Sequence, residues 1–437
     1  MTVTVATRLR VRAAALAVSA LFLLVPASAA VAAPSDDGLW YFDLLHVQDA
    51  HDAGLTGKGV TIAVLDTSLN PEVPTLAGAD VRAQPSPCFD RDGVPLPPTS
   101  TDVTSARHGT NIVSLLVGTG AGYPGQAGVK GVAPDATILF YRMGSPVPGD
   151  EAHFECLDSS GTDQSSESFA AAIYEAIDAG ADLFSVSMGT IHTPALELAM
   201  ANAEHLGIPI VASLTNDQFN VDSPEFFGLA NGVVSVQAGG SDGAVQTETS
   251  FSDVVGPGVG VLVQGVGDSW QAQETVNGTS LATPIVAGFL ALVKQKYPSA
   301  TGNQLIQTLI RNTGAEDHDL AFDQTSGYGF VSATHMLRVD PTQYDDVNPL
   351  IDSSENALEP SAELIANPPS AEEFLGADDG DGQTPTDDGS SAIDLSAFLL
   401  PALLALGGIV LVVVVIVIVL AIRRTRTASG PADRGPV

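Results

Sequence analysis

Between about residue 38 and residue 339, short apolar runs alternate with segments whose apolar positions recur every three or four residues. The runs at 60–65, 137–141, 183–187, 208–212 and 233–237 are nearly free of charge and rich in Val and Ile, which predicts short strands buried on both faces. Residues 109–117, 167–179 and 194–205 have the spacing of helices with one apolar face. Strand and helix in alternation predict an α/β domain. A mostly parallel sheet forms the middle layer of three, with helices on both faces. In such sheets ligands bind beyond the carboxyl ends of the strands, so candidate chemistry is sought there.

The pattern changes at both ends. Arg8, Arg10 and Arg12 precede an apolar run of 13 residues, 13–25, and small residues follow Pro26. That order reads as a secretory signal over residues 1–33, cleaved among residues 29–33. An uncleaved N-terminal anchor is the alternative. At the other end, the 27 residues 396–422 contain no ionisable side chain, and Arg423, Arg424 and Arg426 follow directly. At about 20 residues per bilayer crossing, this predicts one C-terminal transmembrane helix. The basic tail, 423–437, stays cytoplasmic under the positive-inside rule. The expected protein is a single-pass type I protein of the cell membrane, with residues 34–339 outside the cytoplasm.

Residues 340–394 hold 15 acidic side chains, no Lys or Arg, and many Pro, Ser and Gly, which predicts a solvated linker. Its run Asp378-Asp-Gly-Asp-Gly382 lacks the spacing and closing Glu of a calcium loop. Over the whole chain, 17 Lys+Arg stand against 51 Asp+Glu, a net charge of −34. This excludes a nucleic-acid partner, which needs clustered cations, and a basic face on anionic lipid. Two cysteines cannot build a four-Cys zinc site. No metal or cofactor is expected.

Asp66 follows the strand at 60–65, His108 stands in Arg107-His-Gly-Thr110 just before an apolar helix, and Ser280 opens another helix in Asn277-Gly-Thr-Ser-Leu-Ala-Thr-Pro284. A Ser hydroxyl becomes a nucleophile when an imidazole takes its proton, and a carboxylate fixes the imidazole tautomer and stabilises its cation. A helix N-terminus adds unpaired N–H groups that can face a developing oxyanion. Asn216, after the strand at 208–212, offers a second donor. The three segments in this order resemble the subtilisin-like serine proteases, and Gly131-Val-Ala-Pro-Asp-Ala136, Ser187-Met-Gly189, Phe251-Ser252 and Gly327-Tyr-Gly-Phe-Val331 extend the resemblance over about residues 40–338. It implies a three-layer subtilisin-like fold. Asp66 would orient His108, His108 would act as base and then acid, and Ser280 as nucleophile. Asn216 and the Ser280 N–H would form the oxyanion hole. Ser187, Met188 and Gly189 would pair with an extended protein or peptide substrate.

Three segments depart from the family pattern. Ser68 stands where the family has Gly, 263–267 is altered, and Ser213-Leu-Thr-Asn216 replaces Ala-Ala-Gly-Asn. A left-handed backbone at the family's Gly would be closed to Thr215, which is β-branched. The family's first core segment begins within ten residues of the signal, so no sizeable pro-domain is expected. Signal, protease core, polar linker, C-terminal helix and basic tail together are similar to mycosins, the membrane-anchored proteases of actinobacterial type VII secretion systems. That implies a membrane secretion complex as a partner. Cys88 and Cys156 lie in inserts that would rim the cleft, and an exported compartment is oxidising, so a Cys88–Cys156 bridge is expected, with two free thiols as the alternative. Two other readings stay open: a weak or inactive subtilase fold bracing a membrane complex, and an anchored subtilase trimming another exported peptide.

Overall fold

The central strands of the sheet form from runs that are buried on both faces. A computed structural model describes residues 37–147, 150–216, 227–246, 252–314 and 318–369. The signal, the apolar segment 396–422 and the tail lie outside the described residues. Among those described, no helix is long and apolar enough to cross a membrane.

In chain order the elements are α1 (Trp40–Leu44), α2 (Val47–Asp52), β1 (Thr61–Asp66), β2 (Val81–Ala83), α3 (Val103–Val117), β3 (Thr137–Arg142), β4 (Ser145–Val147), β5 (Asp150–Glu155), α4 (Ser165–Asp178), β6 (Leu183–Val186), α5 (Pro194–His205), β7 (Ile210–Ser213), β8 (Val234–Gly239), β9 (Val254–Pro257), β10 (Val261–Val266), β11 (Ser269–Val276), α6 (Thr279–Lys296), α7 (Gly302–Arg311), α8 (Ala333–Arg338) and α9 (Ala362–Ala366). The main sheet has the order β2-β3-β1-β6-β7-β8-β9, and every neighbouring pair is parallel.

Side-chain alternation divides the core into two. Ile62, Val64, Ile138 and Phe140 face a cluster built with α3, α6 and α7. Ala63, Leu65, Leu139 and Tyr141, one residue out of phase, face α4 and α5. The expected three-layer α/β fold is therefore present. The five anticipated strands all form, as do the three helices, whose starts shift by as much as six residues. Two antiparallel hairpins, β4–β5 and β10–β11, had no strong apolar pattern and stand apart from the sheet.

One boundary is corrected. Residues 340–369, expected to open a solvated linker, instead pack on the domain. Pro341, Asn348 and Ile365 are buried. Asn231 and Asp352 exchange two hydrogen bonds of 2.9 and 2.7 Å, Asp346 accepts from Thr301 and Asn303, and Tyr344 lies under the Arg311 guanidinium at 5.6 Å. α9 packs on α5. Composition fails here because the segment is held mainly by matched polar groups, and their pairing depends on which core groups lie opposite.

Glu204 on α5 is buried beneath this segment, 6% exposed, with Oε2 accepting from Asn348 Nδ2 at 2.8 Å. Burial pushes its carboxyl up to about 8, against the pull of the Asn348 hydrogen bond. Unfolded, it would ionise near about 4.3. The folded state thus holds the proton more tightly, so this group's contribution to stability declines as pH rises from about 4.3 to about 8. Glu204→Gln, neutral at all pH, is expected to make the fall in Tm between pH 5 and pH 8 shallower. An unchanged pH slope in thermal unfolding would contradict this.

Candidate active site

Asp66 ends β1 inside the sheet and is wholly buried. Its Oδ1 accepts from the Thr67 N–H and from His108 Nδ1, both at 2.7 Å. His108 does not precede its helix, as the sequence suggested. It sits in the second turn of α3, which starts at Val103 because the Asp102 side chain caps it by accepting from the Ser105 N–H at 2.9 Å. Thr104, Ser105, Arg107 and His108, interspersed with the apolar Val103 and Ala106, hid that start.

The helix approaches the strand end closely. A Cβ on Gly109 would stand 2.6 Å from the Ser68 carbonyl and 3.2 Å from Asp66 Oδ1. The Gly109 N–H donates to Thr67 Oγ1, while the Ser105 carbonyl, its i−4 partner, accepts from the Ser68 N–H. The loop after β1 is thus stitched into the helix that carries His108. On the far side, Asn111 exchanges hydrogen bonds of 2.8 and 2.7 Å with the Gln264 backbone of β10.

Ser280 is the second residue of α6, and the first turn of that helix accounts for most of its donors. The Thr279 N–H goes to Asn216 Oδ1 at 2.9 Å, and the Leu281 N–H to the Gly278 carbonyl at 3.1 Å. The Ser280 N–H has no acceptor among the described residues. Because the Asn216 carbonyl oxygen is engaged by Thr279, its NH2 is the group left to donate at the cleft. Thr215 has no positive φ, so the Gly-to-Thr departure imposes no left-handed strain. Pro284 lacks an N–H, which frees the Ser280 carbonyl, and Ser187 Oγ donates to it at 2.9 Å.

The site opens into one cleft of about 1020 Å³. Asp66 lies beneath it; His108, Asn216, Ser280 and residues 187–189 face it. Ser280 Oγ makes no hydrogen bond to His108 in the structure. The Cys88–Cys156 disulfide is present, with both residues buried. No group of three or more His, Cys, Asp or Glu among the described residues could hold a metal.

Residues 57–329 match the model of the subtilase family. The chain belongs to that family. Its relatives include the thermostable alkaline protease of Halalkalibacterium halodurans, 30% identical over 62% of this chain and 66% of that protein's length. Subtilisin Savinase of Lederbergia lenta is 30% identical over 68% of this chain and 98% of its own. Among solved structures, MycP1 from the ESX-1 type VII secretion system superposes with a TM-score of 0.52 at 21% identity, covering 73% of this subtilase and 91% of MycP1. That likeness is one of fold.

Sequence reading of this subtilase missed Arg142, Asn111 and Phe154. Phe154 had a signal: it is the only Phe, Tyr or Trp within residues 144–166.

Burial works against a charged His108 ring, but the charge and hydrogen bond of Asp66 outweigh it, and the ring's pKa lies above the ordinary imidazole value. NMR titration of the His108 ring is expected to show this upward shift. In Asp66→Asn the burial penalty and the Arg107 charge remain, both opposing a charged ring, so the midpoint should fall below about 6.5. A midpoint unmoved by the substitution would mean that the 2.7 Å contact does not govern the ring.

Proposed function

We propose that this subtilase is a serine endopeptidase anchored in the cell membrane, which cleaves protein or peptide substrates outside the cytoplasm. The observation that carries the reading is the Asp66–His108 bond of 2.7 Å opening into the same cleft as Ser280. Asp66 holds the His108 proton on Nδ1, which leaves Nε2 as the base. Ser280 Oγ attacks the scissile carbonyl carbon, and its proton passes to Nε2. The carbonyl oxygen gains negative charge where the Ser280 N–H and the Asn216 amide are available as donors. Collapse of the adduct breaks the C–N bond, and Nε2 gives its proton to the leaving amine. Water then repeats the sequence on the acyl-enzyme. Ser187–Gly189, continuing from β6, offers backbone for an extended substrate to pair with.

The membrane anchor rests on the apolar segment 396–422 and its basic flank. A tie to type VII secretion rests on the order of segments along the chain, and the fold likeness to MycP1 agrees with it. A second reading, in which the fold braces a membrane complex without turnover, draws on the missing Ser280–His108 hydrogen bond. Such bonds commonly tighten only when substrate arrives, so the enzyme reading is preferred.

A fluorophosphonate probe is expected to label the chain at Ser280 and to leave Ser280→Ala unlabelled. Asn216→Ala should lower kcat by about 10²–10³ with little change in KM, because its donor acts on the transition state. Folded protein that resists labelling would favour the bracing role.

A further inference from the structure

Two inserts meet on the His108 side of the cleft, and three ties lock them. The first is the buried Cys88–Cys156 bridge. The second is Arg142, 4% exposed at the end of β3, which donates to the Pro97 carbonyl at 2.6 Å, the Gly144 carbonyl at 3.1 Å and Ser145 Oγ at 2.7 Å. Its guanidinium has no carboxylate partner among the described residues, and each of its three nitrogens donates one hydrogen bond that holds the inserts together. The third is a two-pronged ion pair from Arg91 to Glu155, at 2.7 and 3.0 Å.

Phe154 lies between the last two of these anchor points, next to Glu155 and two residues before Cys156. Its ring centroid is 6.4 Å from that of His108, with the planes inclined by 44°. That separation falls within the range of about 4.5–7 Å over which rings attract. Phe154 is half-buried, packs on the core cluster that includes Met143, and lines the cleft beside His108. The His108 side chain is 33% exposed, so what covers its open face affects both its rotamer and its solvation.

We propose that Phe154 is a positioning residue for His108: the locked inserts hold its ring against the imidazole, restricting the rotamer and excluding water from that face. The proposal rests on His108 being the base, yet the ring contact can be read without turnover. Among the described residues, the charged groups around His108 are Asp66 on β1, Arg107 on its own helix, Glu274 on β11, which pairs with Arg107, and Asp268 lining the same cleft. Glu155 is paired with Arg91. Replacing Phe154 leaves all of these in place, so the change isolates coverage of the ring.

The test compares Phe154→Ala and Phe154→Leu with the unaltered full chain, by NMR titration of His108 and by the pH profile of kcat/KM. Burial holds the ring's pKa down, so Phe154→Ala is expected to move the midpoint further up and kcat down by about tenfold to hundredfold, with a smaller change in KM. Phe154→Leu, which keeps an apolar cover, should recover most of both. Replacing both cysteines with Ser should move the midpoint in the same direction as Phe154→Ala. A folded Phe154→Ala protein with a lower Tm and an unmoved His108 midpoint would overturn the proposal. So would a rise in KM alone, which would make Phe154 a substrate contact. If the unaltered chain neither hydrolyses peptides nor takes the fluorophosphonate, the proposed activity fails, while the titration still decides the role of Phe154.

Discussion

A carboxylate with no exposed surface, at the end of a strand within a seven-stranded sheet, is the constraint on which the rest of this protein depends. Burying Asp66 is costly unless donors meet it. Two are present, the Thr67 N–H and His108 Nδ1. Meeting the second requires α3 to pass so close to the strand end that Gly109 has no room for a side chain. The packing of that helix, the tautomer of His108 and the accessibility of its other nitrogen all follow from one hydrogen bond.

The nucleophile side is built on a different economy of hydrogen bonds. A helix start leaves several N–H groups unpaired, and here Asn216 and Gly278 each take one while that of Ser280 is left open. The same contact that satisfies Thr279 orients the Asn216 amide. Pro284 removes an acceptor's usual partner and Ser187 replaces it, tying the segment after β6 to the turn that carries Ser280. The reacting groups are thus spaced by backbone bonds between elements distant in sequence, which is what preorganisation of a site requires.

The parts that lie off the sheet act as restraints. The β10–β11 hairpin binds Asn111 on one side and runs directly into α6 on the other, so the positions of His108 and Ser280 share a support. The segment 340–369 fastens α5, α7 and the loop before β8 through polar contacts, with Glu204 and Asn348 at their buried centre. The bridged inserts do the same for the rim above His108.

The sequence by itself determined the layers, the strand positions and the candidate residues of the site. Apolar runs at 60–65 and 137–141 can be buried only on both faces, and a Gly-Thr-Ser-Leu-Ala-Thr-Pro segment marks Ser280 as the candidate nucleophile. The family resemblance and an expected oxidising compartment also anticipated the Cys88–Cys156 bridge, which the structure contains. Local pattern could not see that α3 begins at Val103, because that start is set by the Asp102 side chain accepting from the Ser105 N–H. Nor could it see that Thr215 escapes left-handed strain, or that an acidic stretch would fold onto the domain. Those outcomes were decided by the tertiary structure. Backbone angles in a loop and the matching of polar groups depend on what lies across the contact, whereas burial of an apolar run is encoded in the run itself.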